Sequence, residues 1–301
     1  MNWITGMQRA IDYMEDHLTE TLDYETIAAQ SFSSSYHFQR VFHILCGFTV
    51  GEYIRNRRLS LAGMELASGE TKVLDVALKY GYESPDSFAK AFQKFHGVLP
   101  SQARSNRDHL KFFSRLVLKI SLEGGSVMNY KVEKKPEMTF VGYKKRFSGT
   151  PAERMEQEAD FYVSTRMNQY LLKGMSYDCD TGYNIMRGFD DEGYDFYIAS
   201  VLDEWMTDHL DEELGEDAKR FEKIVVPAGT YVVCETERTR YPTEVFEELR
   251  RKVVSEWIPS SGYELADTPE ISVYHWFYKH GDAKVNDSRY IELWIPITKC
   301  K

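Results

Sequence analysis

Two stretches within the first hundred residues alternate apolar and polar positions with the period of a helix, and a tight turn interrupts each stretch. In the first, apolar side chains recur at i, i+3, i+4 and i+7, the spacing that gathers them on one side of a helix: Phe38, Val41, Phe42 and Leu45. A shorter amphipathic segment around Ile27 precedes them, and serines at 33–35 can cap the second helix. The pattern predicts a helical hairpin with one polar face.

The same pattern returns after Val73. Gly81 supplies the turn, Ser84 can cap the following helix, and Pro85 stands at its first position, where a missing N–H is harmless. The apolar stripe of that helix is Phe88, Ala91, Phe92 and Phe95. Residues 50–67 between the copies predict one long helix. The first third is therefore predicted to be an all-α domain with two helix-turn-helix units joined by a long helix, which would hold two recognition helices roughly 34 Å apart on one face of a duplex.

The distribution of charge changes the picture of a chain whose net charge is −10. Residues 1–126 carry 14 basic and 14 acidic side chains, whereas residues 127–301 carry 23 and 33. Within the first part, residues 1–30 hold one arginine against six acids, so the bases concentrate in the predicted recognition and joining helices. This separation favours one face for phosphate. The alternative is an ordinary helical hairpin whose polar side meets water.

The segments SYHFQRVFHILCGFTVGEYIRNRRL and DVALKYGYESPDSFAKAFQKFHGVLPSQAR resemble the DNA-binding domain of the AraC/XylS family of transcription regulators. The resemblance implies that Tyr36, Gln39 and Arg40 contact bases in the first unit, and Asp86, Ser87 and Lys90 in the second. Ser35, at the start of the first recognition helix, and Arg57, as a phosphate contact, complete the predicted DNA-binding set. The second unit departs from the family, which often has Gln and Arg where this chain has Asp86 and Lys90. Lysine lacks the planar fork of arginine, so we expect the first unit to supply more of the base specificity.

The second half changes to strand patterns, aromatic residues and single helices. Pro136, Thr139, Phe140, Val141 and Pro151 find matching residues at a constant offset of 91: Pro227, Thr230, Tyr231, Val232 and Pro242. Strands flank a predicted helix in each copy, at 152–172 and 243–257. These features predict an α+β domain of two pseudo-repeated β-β-α-β-β units that form an antiparallel sheet with helices on one face. We expect a DNA-binding domain at 1–111, a linker at 112–126, including strand alternation at 116–122, and the second domain at 127–301.

Residues 257–274 and 290–297, WIPSSGYELADTPEISVY and YIELWIPI, resemble the GyrI-like effector-binding domain. The resemblance implies a site for small molecules, often bulky and cationic, around an acidic residue among aromatic rings, and Glu292 matches that acid. Strand alternation independently places Glu292 and Trp294 on one face. The neighbouring side chains predicted to complete the pocket are Tyr274, Trp276, Tyr183, Tyr194 and Tyr197. The alternative for Glu292 is an exposed edge residue, or one paired with Arg289 or a lysine.

Other chemistry is not indicated by the sequence. No Walker motif, GxSxG sequence or Rossmann fingerprint is present, and the four cysteines have no zinc spacing, so we expect no cofactor, metal or catalytic residue. No apolar run suggests a membrane span or a secretion signal, and we expect a cytoplasmic protein. The sequence predicts a transcription regulator whose partners are double-stranded promoter DNA, a small apolar or cationic effector and RNA polymerase. The alternatives for the second domain are a hydrolase using Glu292 and a protein-interaction module.

Overall fold

The computed structural model describes residues 3–118, 128–149, 151–176, 178, 180–190, 192–276 and 287–300. The chain divides into two compact units, and the main division falls between Leu122 and Glu123. The first unit is helical, and the second is an antiparallel sheet with helices, as the sequence predicts. None of the helices in the described ranges is long and apolar enough to cross a bilayer.

Six α-helices lie in the described part of the first unit: α1 (Trp3–Asp16), α2 (Tyr24–Gln30), α3 (Ser35–Cys46), α4 (Val50–Ser68), α5 (Val73–Lys79) and α6 (Pro85–His96). Side chains cap the helices where the chain must turn. Thr49 and Glu52 form a reciprocal capping box at the start of α4, and Ser84 accepts the Ser87 N–H at the start of α6. The prediction of two helix-turn-helix units joined by a long helix is confirmed.

The long helix α4 contributes to the apolar core of both helix-turn-helix units. Tyr53 packs edge-on against Phe42 of α3 at 5.8 Å between ring centroids. Farther along α4, Leu59 and Leu66 pack with α5 and α6 around Phe88 and Phe92. Burial of these side chains fixes α4 between the two units, because each large apolar side chain removed from water contributes about 1.5–3 kcal/mol.

Residues 116–118, the described part of the strand predicted at 116–122, are irregular. Residues 111–118 are irregular, and 119–122 lie outside the described residues. The backbone N–H of Leu116 donates to the Tyr53 hydroxyl, and that of Leu118 donates to Gln8 Oε1. A strand requires a neighbouring strand to satisfy such groups. Here side chains of α4 and α1 accept from Leu116 and Leu118 instead, so these two residues use no strand partner for their N–H groups.

One nine-stranded antiparallel sheet organises the second unit within the described residues. Its strands are β1 (Tyr130–Lys135), β2 (Met138–Ser148), β3 (Thr181–Arg187), β4 (Gly193–Val201), β5 (Glu222–Val226), β6 (Gly229–Glu235), β7 (Tyr263–Leu265), β8 (Glu270–His275) and β9 (Tyr290–Lys299). The order is β1-β6-β9-β8-β3-β4-β2-β5, with β7 paired to β9. The first repeat consists of β1, β2, β3 and β4, and the second of β5, β6, β8 and β9. Replacing each strand by its counterpart in the other repeat gives the same order read from the opposite end, so the sheet has the predicted pseudo-twofold arrangement. Asn184 and Ser272 form a central pair.

The first strand of each repeat pairs with the other repeat. β1 pairs with β6, and β5 pairs with β2, although only two residues separate β1 from β2 along the chain. This exchange joins the repeats by main-chain hydrogen bonds at both ends of the sheet. The sequence repeat did not reveal this exchange, because its spacing is the same whether the first strand pairs within its own repeat or with the other repeat.

Helices cover one face of the sheet: α7 (Pro151–Ser164), α8 (Arg166–Met175), α9 (Glu204–Leu214), α10 (Thr243–Lys252) and α11 (Ile258–Ser261). The helix predicted at 152–172 is broken at Thr165, and the helix predicted at 243–257 continues through a π-helical turn at Val253–Trp257. Phe147, Phe161 and Phe196 lie in the core on the helix-covered face. A second core, with Phe140, Tyr197, Tyr231 and Trp294, lies on the opposite face.

Candidate functional sites

The first recognition helix, α3, is enclosed on several sides. Phe38 and Phe42 are buried, as predicted for its core face, but Arg40 on another face is also buried, with 0% of its surface exposed. Ser35 is 9% exposed, and its hydroxyl accepts the amide of half-buried Gln39 at 3.1 Å. Arg40 is therefore buried in this structure, and its predicted contact with bases stays a prediction. The apolar stripe predicts which side of α3 faces the core, but it does not predict that the remaining sides are exposed.

Arg57 is a structural residue, which corrects its predicted contact with phosphate. Only 6% of its surface is exposed. Its Nε and Nη2 atoms donate to the two carboxylate oxygens of Glu15 on α1, each at 2.8 Å, and Nη1 donates to the Phe113 carbonyl. Burial would raise the pKa of Glu15, but hydrogen bonds from Arg57 and Tyr53 hold that pKa below its ordinary value. The forked guanidinium thus ties α4 to α1.

The neighbouring arginines of α4 have different roles. Arg58 donates to the carbonyls of Leu18 and Glu20, which satisfies backbone acceptors after α1. Arg55 is exposed. Of the three clustered arginines, Arg55 is therefore the one whose position suits a phosphate contact.

The second recognition helix, α6, presents its predicted residues. Phe88 and Phe92 are fully buried, whereas Asp86, Ser87 and Lys90 are exposed. Gln93 and Lys94 extend the exposed polar surface by one helical turn. The spacing i, i+3 and i+4 from Lys90 places them on the same side, a signal that could have added Gln93 to the predicted set. The structure therefore gives α6 an accessible polar face.

Glu292 on β9 lies in a polar cluster on the face opposite the helices. Its Oε1 atom is 2.8 Å from His275 Nε2 of β8, and its Oε2 atom accepts the Trp294 indole N–H at 2.8 Å. Lys135 Nζ lies 4.1 Å from the centroid of the Trp294 ring. The hydrogen bond with His275, together with those other partners, holds the pKa of Glu292 below its ordinary value. Glu292 is therefore an ionised, half-buried carboxylate at neutral pH.

The structure brings only part of the predicted aromatic set to Glu292. Trp294, Tyr183 and Tyr197 belong to the same face and contribute to its core. Tyr274, Trp276 and Tyr194 belong to the helix-covered side instead, where Tyr194 packs with Phe147. The register explains the difference: Val273 and His275 on β8 stand opposite Glu292 and Tyr290 on β9. Tyr274 between them must point to the other face.

His275 and Tyr290 were missed as members of the site. Their rings stack at 4.2 Å between centroids and 9° between planes. No metal-ligand spacing identifies His275, so its role could be found only through the cross-strand register. The pseudo-twofold arrangement matches β4 with β9, and the pairing of these strands with β3 and β8 places Tyr197 at the position equivalent to Glu292. Tyr197 receives hydrogen bonds from Arg187, where Glu292 is bonded to His275.

Comparisons with known proteins match the two structural units to two different families. Residues 27–106 match a helix-turn-helix domain family, and residues 131–297 match the family described as integron-associated effector binding protein. The first part is 42% identical over 92 residues to the transcriptional activator AarP of Providencia stuartii, covering 31% of this chain and 68% of AarP. It is 35% identical over 98 residues to the regulatory protein SoxS of Salmonella typhimurium, covering 33% of this chain and 92% of SoxS.

Among solved structures, SAV2435 bound to tetraphenylphosphonium matches the second part. The match has 16% identity and a TM-score of 0.43, and it covers 57% of this chain and 94% of SAV2435. The sequence matches establish both domain families. The chain therefore belongs to the AraC-type transcription regulators through its DNA-binding domain, and to the integron-associated, GyrI-like effector-binding family through the domain that follows.

Proposed function

We propose that the effector of this DNA-binding regulator is an apolar organic cation that binds at Glu292. The observation that carries the proposal is the ionised Glu292 carboxylate, half-buried beside the rings of Trp294 and Tyr290. A carboxylate withdrawn from water requires a positive or hydrogen-bonding partner. Aromatic faces add an attraction of about 0.5–2 kcal/mol for a cation. An uncharged or anionic molecule would gain neither contribution.

His275 contacts Glu292 on the side where we expect the effector cation to bind. Its Nε2 atom contacts Glu292, and its ring is held in place by stacking on Tyr290. An incoming cation would replace the contact between His275 and Glu292, so it would not bind to an unpaired carboxylate. Replacement keeps the carboxylate paired throughout, which avoids the large cost of an isolated buried ion. His275 would then limit the affinity and favour cations with an apolar surface large enough to offset its displacement.

Binding of tetraphenylphosphonium and of tetraphenylborate tests the proposal, because the two ions share a shape and differ in charge. Quenching of tryptophan fluorescence should show saturable binding of the phosphonium only. Glu292→Gln should weaken it by about tenfold or more, since one partner of a half-buried charge pair is removed. Glu264→Gln, an identical change at an exposed position of β7, is the matched control and should bind normally. Equal binding of both ions, or normal affinity in Glu292→Gln, would overturn the proposal.

His275→Phe separates displacement from simple attraction. Phenylalanine preserves a ring for stacking on Tyr290 but cannot hydrogen-bond to Glu292. We expect the variant to bind tetraphenylphosphonium more tightly than the unmodified chain, because no internal partner must leave. Weaker binding would show that His275 contributes directly to the effector contacts.

On the DNA side, we propose that α6 supplies the accessible base contacts through Asp86, Ser87 and Lys90, and that Tyr36 and Gln39 of α3 contribute secondarily. The protein would act in the cytoplasm, where promoter DNA and RNA polymerase are present. Effector occupancy would change promoter affinity only if the cation binds the DNA-competent arrangement with a different affinity. Promoter binding measured with and without saturating tetraphenylphosphonium tests that coupling. An unchanged affinity would contradict it.

A further inference from the structure

Gly182 is the second residue of β3, and none of the described residues gives a steric reason for a glycine there. Glycine weakens a strand, so it usually marks a bulge or a place where another group approaches closely. Gly142 and Gly193 show such a reason, because an added Cβ would collide with the carbonyls of Ile198 and Phe147, respectively. At Gly182 an added Cβ would meet no atom of the described residues within 4 Å, and its φ lies outside the left-handed region. None of the side chains in the described ranges therefore fills the space beside Gly182.

That space is a cavity of about 160 Å³ on the helix-covered side of the sheet. Its lining includes Tyr162, Lys173, Asn184, Ser200, Tyr274 and Trp276. A cavity of roughly 150 Å³ accommodates benzene, so this one fits a single aromatic ring with a small substituent. The Tyr274 and Trp276 rings stack at 5.3 Å between centroids and provide an aromatic wall.

Polar groups distinguish this cavity from a dry packing defect. The Asn184 side-chain amide donates to the Tyr162 hydroxyl. Burial raises the pKa of Tyr162 and Tyr274, so both phenols stay neutral and can donate or accept hydrogen bonds. Asn184 and Ser200 are each 4% exposed. A ligand that offers one hydroxyl can bond to these groups, whereas a plain hydrocarbon ring would leave them without that contact.

The charge of the lining sets this cavity apart from the Glu292 site. Of the described residues that line it, Lys173 alone carries a formal charge, and that charge is positive. An organic cation would therefore find no opposite charge among these lining residues, whereas it would find one at Glu292. The two places also lie on opposite faces of the sheet, since Asn184 and Tyr274 point to the helices and Glu292 points away from them.

We propose that the cavity beside Gly182 is a second small-molecule site and that it binds a single-ring phenol. The ring lies against Tyr274 and Trp276, and the hydroxyl bonds within the group formed by Asn184, Tyr162 and Tyr274. The missing side chain at position 182 leaves room for the ring. This site is independent of the effector site proposed at Glu292, and either can exist without the other.

Calorimetric titration of the full chain with p-cresol and toluene tests the site, because the two molecules differ by one hydroxyl. We expect saturable binding of p-cresol, and binding of toluene at least about tenfold weaker, the effect of a lost buried hydrogen bond. Gly182→Val places a branched side chain in the open space. It should abolish p-cresol binding while thermal stability stays equal or rises, since valine favours strands and fills the cavity.

Two further variants keep the test decisive if Gly182→Val does not fold. Asn184→Leu and Tyr274→Phe preserve most of the side-chain volume and remove hydrogen-bonding groups, so each should reduce the preference for p-cresol over toluene. Glu292→Gln should bind p-cresol normally, whatever its effect on tetraphenylphosphonium. The proposal is overturned if the unmodified chain does not bind p-cresol, if toluene binds equally well, or if Gly182→Val binds p-cresol with unchanged affinity.

Discussion

Each half of this molecule contains two copies of one structural unit: two helix-turn-helix units in the first half and two sheet repeats in the second. In each half, the copies differ at the residues predicted to contact DNA or a ligand. In the helical unit, Arg40 of α3 is buried, whereas Lys90, which occupies the matching position on α6, is exposed. In the sheet, Glu292 is bonded to His275, whereas its equivalent Tyr197 is bonded to Arg187. The two copies in each half thus share a framework and differ in the side chains at matching positions.

The largest expected effect concerns a basic residue that belongs to the framework. Arg57→Met should lower the free energy of unfolding by about 3 kcal/mol or more, because Glu15 would lose the partner of a buried carboxylate. Lys90→Met, a matched change at an exposed position, should alter stability by less than about 0.5 kcal/mol. Urea denaturation of both variants measures the difference. Equal stability of the two would show that the Glu15–Arg57 pair is not structural.

A second effect concerns DNA affinity. Lys90→Met should weaken binding to a selected duplex by about 1–3 kcal/mol if Lys90 contacts a base. Arg40→Met should have a smaller effect on affinity, because its guanidinium is enclosed. Fluorescence anisotropy at a fixed salt concentration gives both values. A larger loss in Arg40→Met than in Lys90→Met would reverse the comparison between α3 and α6.

The turns of the two helix-turn-helix units provide a third test. Phe32 has a φ of 57° and occupies the place that Gly81, with a φ of 82°, has in the second unit. Phe32 is also 69% exposed, so it gains little from burial. Phe32→Gly should raise the unfolding free energy by up to about 1 kcal/mol through relief of left-handed strain, reduced by the loss of the Arg9 contact at 4.8 Å. A drop in thermal stability would show that this contact outweighs the strain.

The smallest effect should appear as a dependence on pH. The folded-state pKa of Glu292 is lowered below its ordinary value of 4.5. Its ionised form therefore contributes stability that is fully present above pH 4.5 and is lost as pH falls through the lower folded value. Glu292→Gln should flatten the stability profile in that acid range, whereas Tyr197→Phe should not. Denaturation curves between neutral and acid pH would reveal whether the two profiles differ.

Local patterns in the sequence predicted most of the elements and their order. Helical spacing, Ser84 with Pro85, and the Gly81 turn defined the helix-turn-helix units, and the offset of 91 defined the sheet repeats. The predictions that were wrong depend on distant partners. Arg57 resembles a phosphate contact until Glu15, 42 residues away, is placed beside it. Tyr274 and Glu292 both alternate correctly within their strands, but the register between β8 and β9 places them on opposite faces.

The side chains that matter most at Glu292 also follow from register rather than from motif. His275 is 17 residues from Glu292 and has no ligand spacing, and Gly182 differs from other strand glycines only in the space around it. Periodicity specifies which side chains share a face of one element. It does not specify which faces meet, because that depends on packing between elements.

Selection of binding sites from a random pool of DNA duplexes is the most direct test of the central claim, that α6 is the accessible recognition helix. The unmodified chain, Asp86→Asn and Arg40→Met would each select sequences. Because aspartate accepts a hydrogen bond only from particular base edges, such as the amino group of cytosine, Asp86→Asn should change the preferred base at one position, while Arg40→Met should retain the original sequence. An unchanged preference in Asp86→Asn, together with an altered preference in Arg40→Met, would contradict the account.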